Sequence, residues 1–152
     1  MNESGSFSRR ARIKARRSAV QALYQWHITA SPLADILAEF QNERKQLDKA
    51  DRDYFRELVE GVGKYRDKLE ELMSSNIDRP INELDPVERS ILWLSIYELK
   101  YQPGIPVRVI INESIELAKM FGAEDSHKYI NGVMDKVAHQ IRSSETDNAV
   151  NS

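Results

Sequence analysis

Apolar positions recur along this chain at intervals of three and four residues, and rarely at intervals of two. The first spacing gathers side chains on one side of a helix, whereas alternation is the mark of a strand. No run of alternating residues flanked by hairpin turn signals occurs, so the pattern predicts an all-α fold of six or seven helices. The first helix runs from about Ser8 to Thr29 and is stopped by Ser31-Pro32. A shorter one follows Pro32, with Leu33, Ile36, Leu37 and Phe40 at helical spacing. Asn42 to Leu47 is a polar connection. A third helix begins near Asp48, carries Tyr54, Phe55, Leu58, Val59 and Val62, and keeps its period through Tyr65, Leu69, Leu72 and Met73 to about Asn76. Gly61 and Gly63 either weaken it or allow close packing.

Asp78-Arg79-Pro80 breaks the chain. Asp85-Pro86 then reads as a helix cap followed by a first-turn proline. The helix it opens contains ILWLSIYEL, residues 91–99, in which seven of nine residues are apolar or aromatic on all sides. A helix of that kind is buried all round and should be the central element. Pro103-Gly104 ends it. Pro106 opens the next helix, with Val107, Ile111, Ile115, Ala118 and Phe121 on one face and Gly122 as its C-terminal stop. Asp125 or Ser126 caps the last helix, where Ile130, Val133, Met134, Val137, Ala138 and Ile141 fit the apolar template. The expected organisation is a disordered start at 1–8, a helical domain at 9–142 with subdomains at about 9–76 and 84–142, and a disordered tail at 143–152.

Composition narrows the class. The chain has 152 residues, 41% of them apolar and 30% charged, enough for one domain or two small subdomains with a well-solvated surface. It has no cysteine, which excludes disulfides and thiolate metal sites and is compatible with a reducing compartment. No run approaches the length of about 20 apolar residues that spans a bilayer. The N-terminus is basic, but Gln21, Gln25 and His27 spoil any signal-peptide core, and a transit segment would not run straight into a folded helix.

Charge adds a second layer. The net charge of −2 conceals a division: residues 1–17 carry six basic groups and one acidic, and the remainder carries 16 basic and 23 acidic. Such a chain points to a polyanion partner at one end, with contact that is local. On a helical wheel Val20, Leu23, Tyr24 and His27 share one side. Carried back, that side meets Arg16, Ile13 and Arg9, while Arg10, Arg12, Lys14 and Arg17 point elsewhere. The wheel therefore predicts that the first two or three turns project beyond the body or lie on its rim. Cations at a helix start repel one another and oppose the dipole; a phosphate backbone would relieve both. Arginine-rich segments of this kind bind RNA, and they also serve as solubilising or targeting segments.

A second candidate surface lies in FGAEDSHKYINGVMDKVA, residues 121–138. Asp125, Tyr129, Gly132 and Lys136 share a face distinct from the apolar stripe, with Lys128 beside Tyr129. An aromatic ring flanked by lysine and by free helix N–H groups can seat one unstacked base. The same spacing equally describes a half-buried packing tyrosine and a glycine that permits a close helix crossing. Catalytic and metal constellations are missing. His27, His127 and His139 have no paired ligand spacing, Glu124-x-x-His127 has no second copy, and neither a phosphate loop nor a dinucleotide fingerprint occurs. The sequence is read as a non-enzyme without cofactor or metal.

RIKARRSAVQALYQW, YFRELVEGV, DPVERSILWLSIYEL and INESIELAKMFGAEDSHKYINGVMDKVA together resemble the successive motifs of the NusB family of bacterial transcription antitermination factors. The resemblance spans roughly residues 9–142 and is most specific in the last motif. It implies two packed helical subdomains in a cytoplasmic protein. It implies binding of boxA RNA as a heterodimer with the ribosomal protein NusE, and association with other Nus factors and RNA polymerase, notably in ribosomal RNA operons. The family's basic start maps onto Arg12, Lys14 and Arg16, with Arg9 and Arg10 as added charge. Its RNA-contacting aromatic maps onto Tyr129, with Asp125 and Lys128 beside it. The partner face maps onto Tyr24, Glu88 and Glu83. Arg17 stands where the family commonly has Glu, and residues 74–82 match the family poorly. The resemblance joins the two surfaces into one RNA path, and homodimerisation of the free protein stays open. A related helical module serving an RNA-modification or ribosome-assembly factor is the alternative reading.

Overall fold

The computed structural model describes residues 5–43 and 47–143, with side chains from residue 9 onward apart from that of Glu43. Six helices follow in order: α1 (Gly5–Thr29), α2 (Leu33–Glu43), α3 (Arg52–Ser74), α4 (Pro86–Tyr101), α5 (Val107–Phe121) and α6 (Ser126–Ile141). A 3-10 turn, Ile81–Glu83, precedes α4. There is no strand among the described residues, in line with the all-α expectation. The expected disordered ends fall mostly outside the described residues. Where they overlap them, residues 5–8 belong to α1.

The chain divides into two compact units, residues 1–64 and 65–152. The division falls inside α3, whereas the sequence suggested 76–84. The unbroken apolar period hides an interruption: Tyr65, at φ −107° and ψ 18°, leaves helical geometry in mid-helix. Its ring stacks on Tyr101 with centroids 4.1 Å apart.

In the first unit, α1 is packed through small residues. Ala11, Ala15, Ser18, Ala19 and Ala22 are buried together with Val20 and Leu23. An alanine stripe gains little from transfer of its own methyl groups, but it lets other atoms approach to close van der Waals range. It also decides between the two expectations for the first turns, projection beyond the body or a place on its rim: from Ala11 onward α1 is packed in the first unit, with Arg12 and Lys14 half-buried. The alanines share one side of the wheel, but their methyl groups gave a weaker hydrophobic signal than the bulkier Val20, Leu23 and Tyr24. Helix α1 ends at Ala30, whose left-handed φ of 56° turns the chain while its N–H donates to Trp26 O at 2.9 Å. Helix α3 begins at Arg52 rather than near Asp48, because the Asp51 carboxylate accepts the Tyr54 N–H at 3.0 Å and caps the first turn there. Phe40 and Phe55 stack with ring centroids 5.9 Å apart. Gly63 is a place of close approach, where an added Cβ would sit 2.4 Å from Leu33 Cδ2.

In the second unit, α4 is buried from Arg89 to Leu99, as its uninterrupted apolar run required. Asp85 caps it, accepting from the N–H groups of Val87 at 2.8 Å and Glu88 at 3.2 Å, and Pro86 opens it. The carboxylate of Glu70 on α3 holds α4 from the side. One oxygen accepts from Arg89 Nη2 at 2.8 Å and Trp93 Nε1 at 2.9 Å. Helices α5 and α6 pack on α4 and on each other. On α6, Ile130, Val133, Met134, Val137 and Ala138 are buried as expected. The C-terminal end of α4 is closed by a residue no local rule would select. The Arg142 guanidinium donates to the carbonyls of Glu98 at 3.2 Å, Leu99 at 3.0 Å and Gln102 at 2.8 Å, and also to that of Ile105. These are carbonyls at and just beyond a helix end, where orphan acceptors and the negative end of the dipole favour a cation.

Candidate nucleic-acid interface

The basic start of α1 sorts into three groups. Arg9, Arg10 and Arg17 are exposed. Arg12 and Lys14 are half-buried. The Arg12 guanidinium lies 3.8 Å from the centroid of the Tyr54 ring, with its Nε 3.6 Å from Asp51 Oδ2. Asp51 also donates its own N–H to Ala11 O at 3.0 Å, so the cap of α3 and the first packed turn of α1 are tied together. Arg16, one turn after Arg12, faces the same ring from 5.6 Å and is only 4% exposed. That burial sets Arg16 apart from the other basic residues of the run. Its side chain packs on an aromatic ring, with little surface left for a ligand. Arg17 points outward and forms no ion pair with a described residue.

The second surface gathers at the start of α6. Asp125 occupies the cap position, but its side chain makes no capping bond. It is exposed and lies 3.6 Å from Lys128 Nζ. Ser126 instead organises the turn: its hydroxyl accepts the Ala123 N–H at 3.1 Å and donates to Glu88 Oε2 at 2.8 Å. The turn depends on Gly122, whose φ of −93° any residue can adopt. Its role is to leave room, since a Cβ there would lie 2.7 Å from Ser126 Cβ and 2.9 Å from Ala118 O.

Tyr129 is half-buried, and its enclosed hydroxyl has no hydrogen-bond partner among the described residues. Burial chiefly, with Asp78 and Glu88 nearby, pushes this phenol above its ordinary value, so it stays neutral. Gly132, one turn on, is exposed, and an added Cβ there would meet nothing within 4 Å, so no helix crosses it closely. Lys136 is exposed on the same helix. Sequence reasoning missed Arg79, whose guanidinium lies over the Tyr129 ring at 4.7 Å from its centroid. Its Nε and Nη2 donate to the two Asp78 oxygens at 2.8 and 3.4 Å. That hydrogen bond, with the charge of Arg79 beside it, lowers the Asp78 carboxyl from its ordinary value. Arg79 belongs to the stretch that matches the family motifs poorly, so no motif could flag it.

For the partner face, Tyr24 is 39% exposed, and Ile28, one turn further along α1, is 54% exposed. Two large apolar side chains on the same helix face extend what Tyr24 alone suggested. Glu83 is exposed in the 3-10 turn. Glu88 is half-buried and occupied in part by Ser126. Among the described residues, no three of His, Cys, Asp and Glu come together as a metal-holding group, and no helix is long and apolar enough to cross a membrane.

Comparison with known proteins places the chain in a family. The NusB family model matches residues 13–139. Transcription antitermination protein NusB of Edwardsiella ictaluri (strain 93-146) is 52% identical over 132 residues, covering 87% of this chain and 94% of that protein. Among solved structures, T. maritima NusB superposes with a TM-score of 0.75 at 29% identity, covering 89% of this chain and 96% of that one. A crystal structure of the antitermination factors NusB and NusE in complex with dsRNA superposes at 0.72 with 21% identity over 86% of this chain and 98% of that one, a likeness of fold. With a family match over most of its length and a relative at half identity across nearly the whole of both chains, the protein belongs to the NusB family.

Proposed function

We propose that this protein is a transcription antitermination factor that binds boxA-type RNA together with NusE, joins other Nus factors on RNA polymerase, and acts in the cytoplasm without catalysing a reaction. The observation that carries the reading is the half identity to a named transcription antitermination protein along nearly its full length. The NusB and NusE pair with dsRNA, solved for a protein of this fold, supports the choice of partners. The exposed Arg9, Arg10 and Arg17, with Arg12 and Lys14 behind them, take RNA phosphates. Lys128, Tyr129, Lys136 and Asp125 read an unstacked segment. Tyr24, Glu83 and Glu88 face the basic ribosomal protein. Phosphate contacts of this kind position the nucleic acid and make affinity salt-dependent, while aromatic contacts discriminate.

The test is fluorescence anisotropy of a labelled boxA-type RNA against a scrambled RNA, with and without NusE, at two salt concentrations. The reading expects preference for boxA that strengthens with NusE. Equal binding of both RNAs, or no binding with NusE present, would overturn it.

A further inference from the structure

The seat that the sequence suggested for a base on Tyr129 is covered on one face. Arg79 lies there, and its geometry is that of a platform rather than a loose surface cation. Three observations define it. The guanidinium carbon lies over the ring, 4.7 Å from its centroid. Two of its nitrogens are engaged by the two oxygens of Asp78, which fixes the plane from its edge. Both side chains remain open to solvent, at 41% for Arg79 and 69% for Asp78.

An arginine paired to a neighbouring carboxylate contributes little net charge, so a phosphate grip is the poorer use of this arrangement. A plane held edge-on by a fork and backed by an aromatic ring is suited to stacking, because guanidinium planes stack on nucleobases as aromatic rings do. The open side at Gly132 leaves room beside the ring for the rest of a nucleotide. We infer that Arg79 is a further RNA-binding residue: an unpaired base stacks on the outer face of its guanidinium, as the third layer of a Tyr129–Arg79–base stack, with Asp78 as the residue that orients the plane. The inference rests on the proposed RNA-binding function and adds a residue to the second surface.

The experiment compares Arg79→Ala and Arg79→Lys with the unaltered full chain. It uses NusE and labelled single-stranded boxA-type RNA, with affinity measured across a salt series and helicity checked by circular dichroism. The stack requires both variants to lose affinity by about tenfold, the size of one base stack. Arg79→Lys, which keeps the charge and loses the plane, should leave the salt slope unchanged. If Arg79→Lys binds as the unaltered chain does, Arg79 acts as a charge and the stack is wrong. If Arg79→Ala binds equally or more tightly, the residue is a bystander or a cover over Tyr129, and the inference is again overturned. Should the unaltered chain bind neither boxA-type nor scrambled RNA, the proposed function itself fails and the inference falls with it.

Discussion

The two candidate surfaces are built on opposite electrostatic plans. At the start of α1, Arg9, Arg10 and Arg17 stand exposed in a run that contains no acidic residue, and among the described residues only Arg12 of the exposed or half-exposed set meets a carboxylate, at 3.6 Å. At the start of α6, cations are matched: Lys128 lies 3.6 Å from Asp125, and Arg79 lies 2.8 Å from Asp78. Unmatched charge attracts a polyanion over a distance and without regard to base sequence. Matched charge around a half-buried ring cannot do that, but it can hold planes and edges in place. The difference separates the source of affinity from the source of discrimination.

That separation can be tested from its strongest consequence downward. Replacing Arg9, Arg10 and Arg17 together by Ala should cause the largest loss of RNA affinity and lower the salt slope by about two units, at roughly 0.7 per phosphate contact to a single strand. Helicity should be unchanged. A salt titration that finds the slope intact would mean the exposed arginines touch no phosphate.

Gly122→Ala should cost about 1–3 kcal/mol of stability, because a methyl group within 3 Å of the Ala118 carbonyl cannot be relieved by a side-chain rotation. Thermal unfolding measures it. In the same variant the boxA preference should fall further than the salt slope, since only the start of α6 is displaced.

Tyr129→Ala should weaken boxA binding by about 1–3 kcal/mol with the salt slope unchanged. An equal loss against scrambled RNA would merge the two plans into one. Arg16→Ala makes the converse point for the first surface: a basic residue in the basic run that should lower the melting temperature, by about 1–2 kcal/mol of packing, while the RNA salt slope stays where it was.

The smallest effect is expected from Ser126→Ala. It removes the bond to Glu88 and should cost on the order of 1 kcal/mol in chemical unfolding. A larger change in NusE binding than in stability would identify Glu88 as the group that the serine holds in position.

Legibility in the sequence followed the same physical divide. Helix α4 was readable because bulky apolar residues and an Asp-Pro start carry their own signals, and the stripe of α6 was readable for the same reason. The packed face of α1 was not, since alanine does not stand out from its surroundings and the wheel was drawn by Val20, Leu23 and Tyr24. Tyr24 proved partly exposed, and Arg16, which the wheel put on the same side as Val20 and Leu23, proved buried. Tyr129 could be placed on its helix, but its neighbour Arg79 lies 50 positions away along the chain, and its approach is a product of tertiary folding. The closing of α4 by Arg142 is hidden for the same reason: capping rules look a few residues ahead, not across two helices.

The Arg142 contact has a consequence in time. It reaches back over 43 residues to Leu99. A chain made from N- to C-terminus at about 5–20 residues per second completes α4 roughly two to nine seconds before the side chain that closes it is added. During that interval the carbonyls of Leu99 and Ile105 lack the guanidinium donor that they have in the folded protein. The final registration of α4 therefore waits for a residue that follows α6 in the chain.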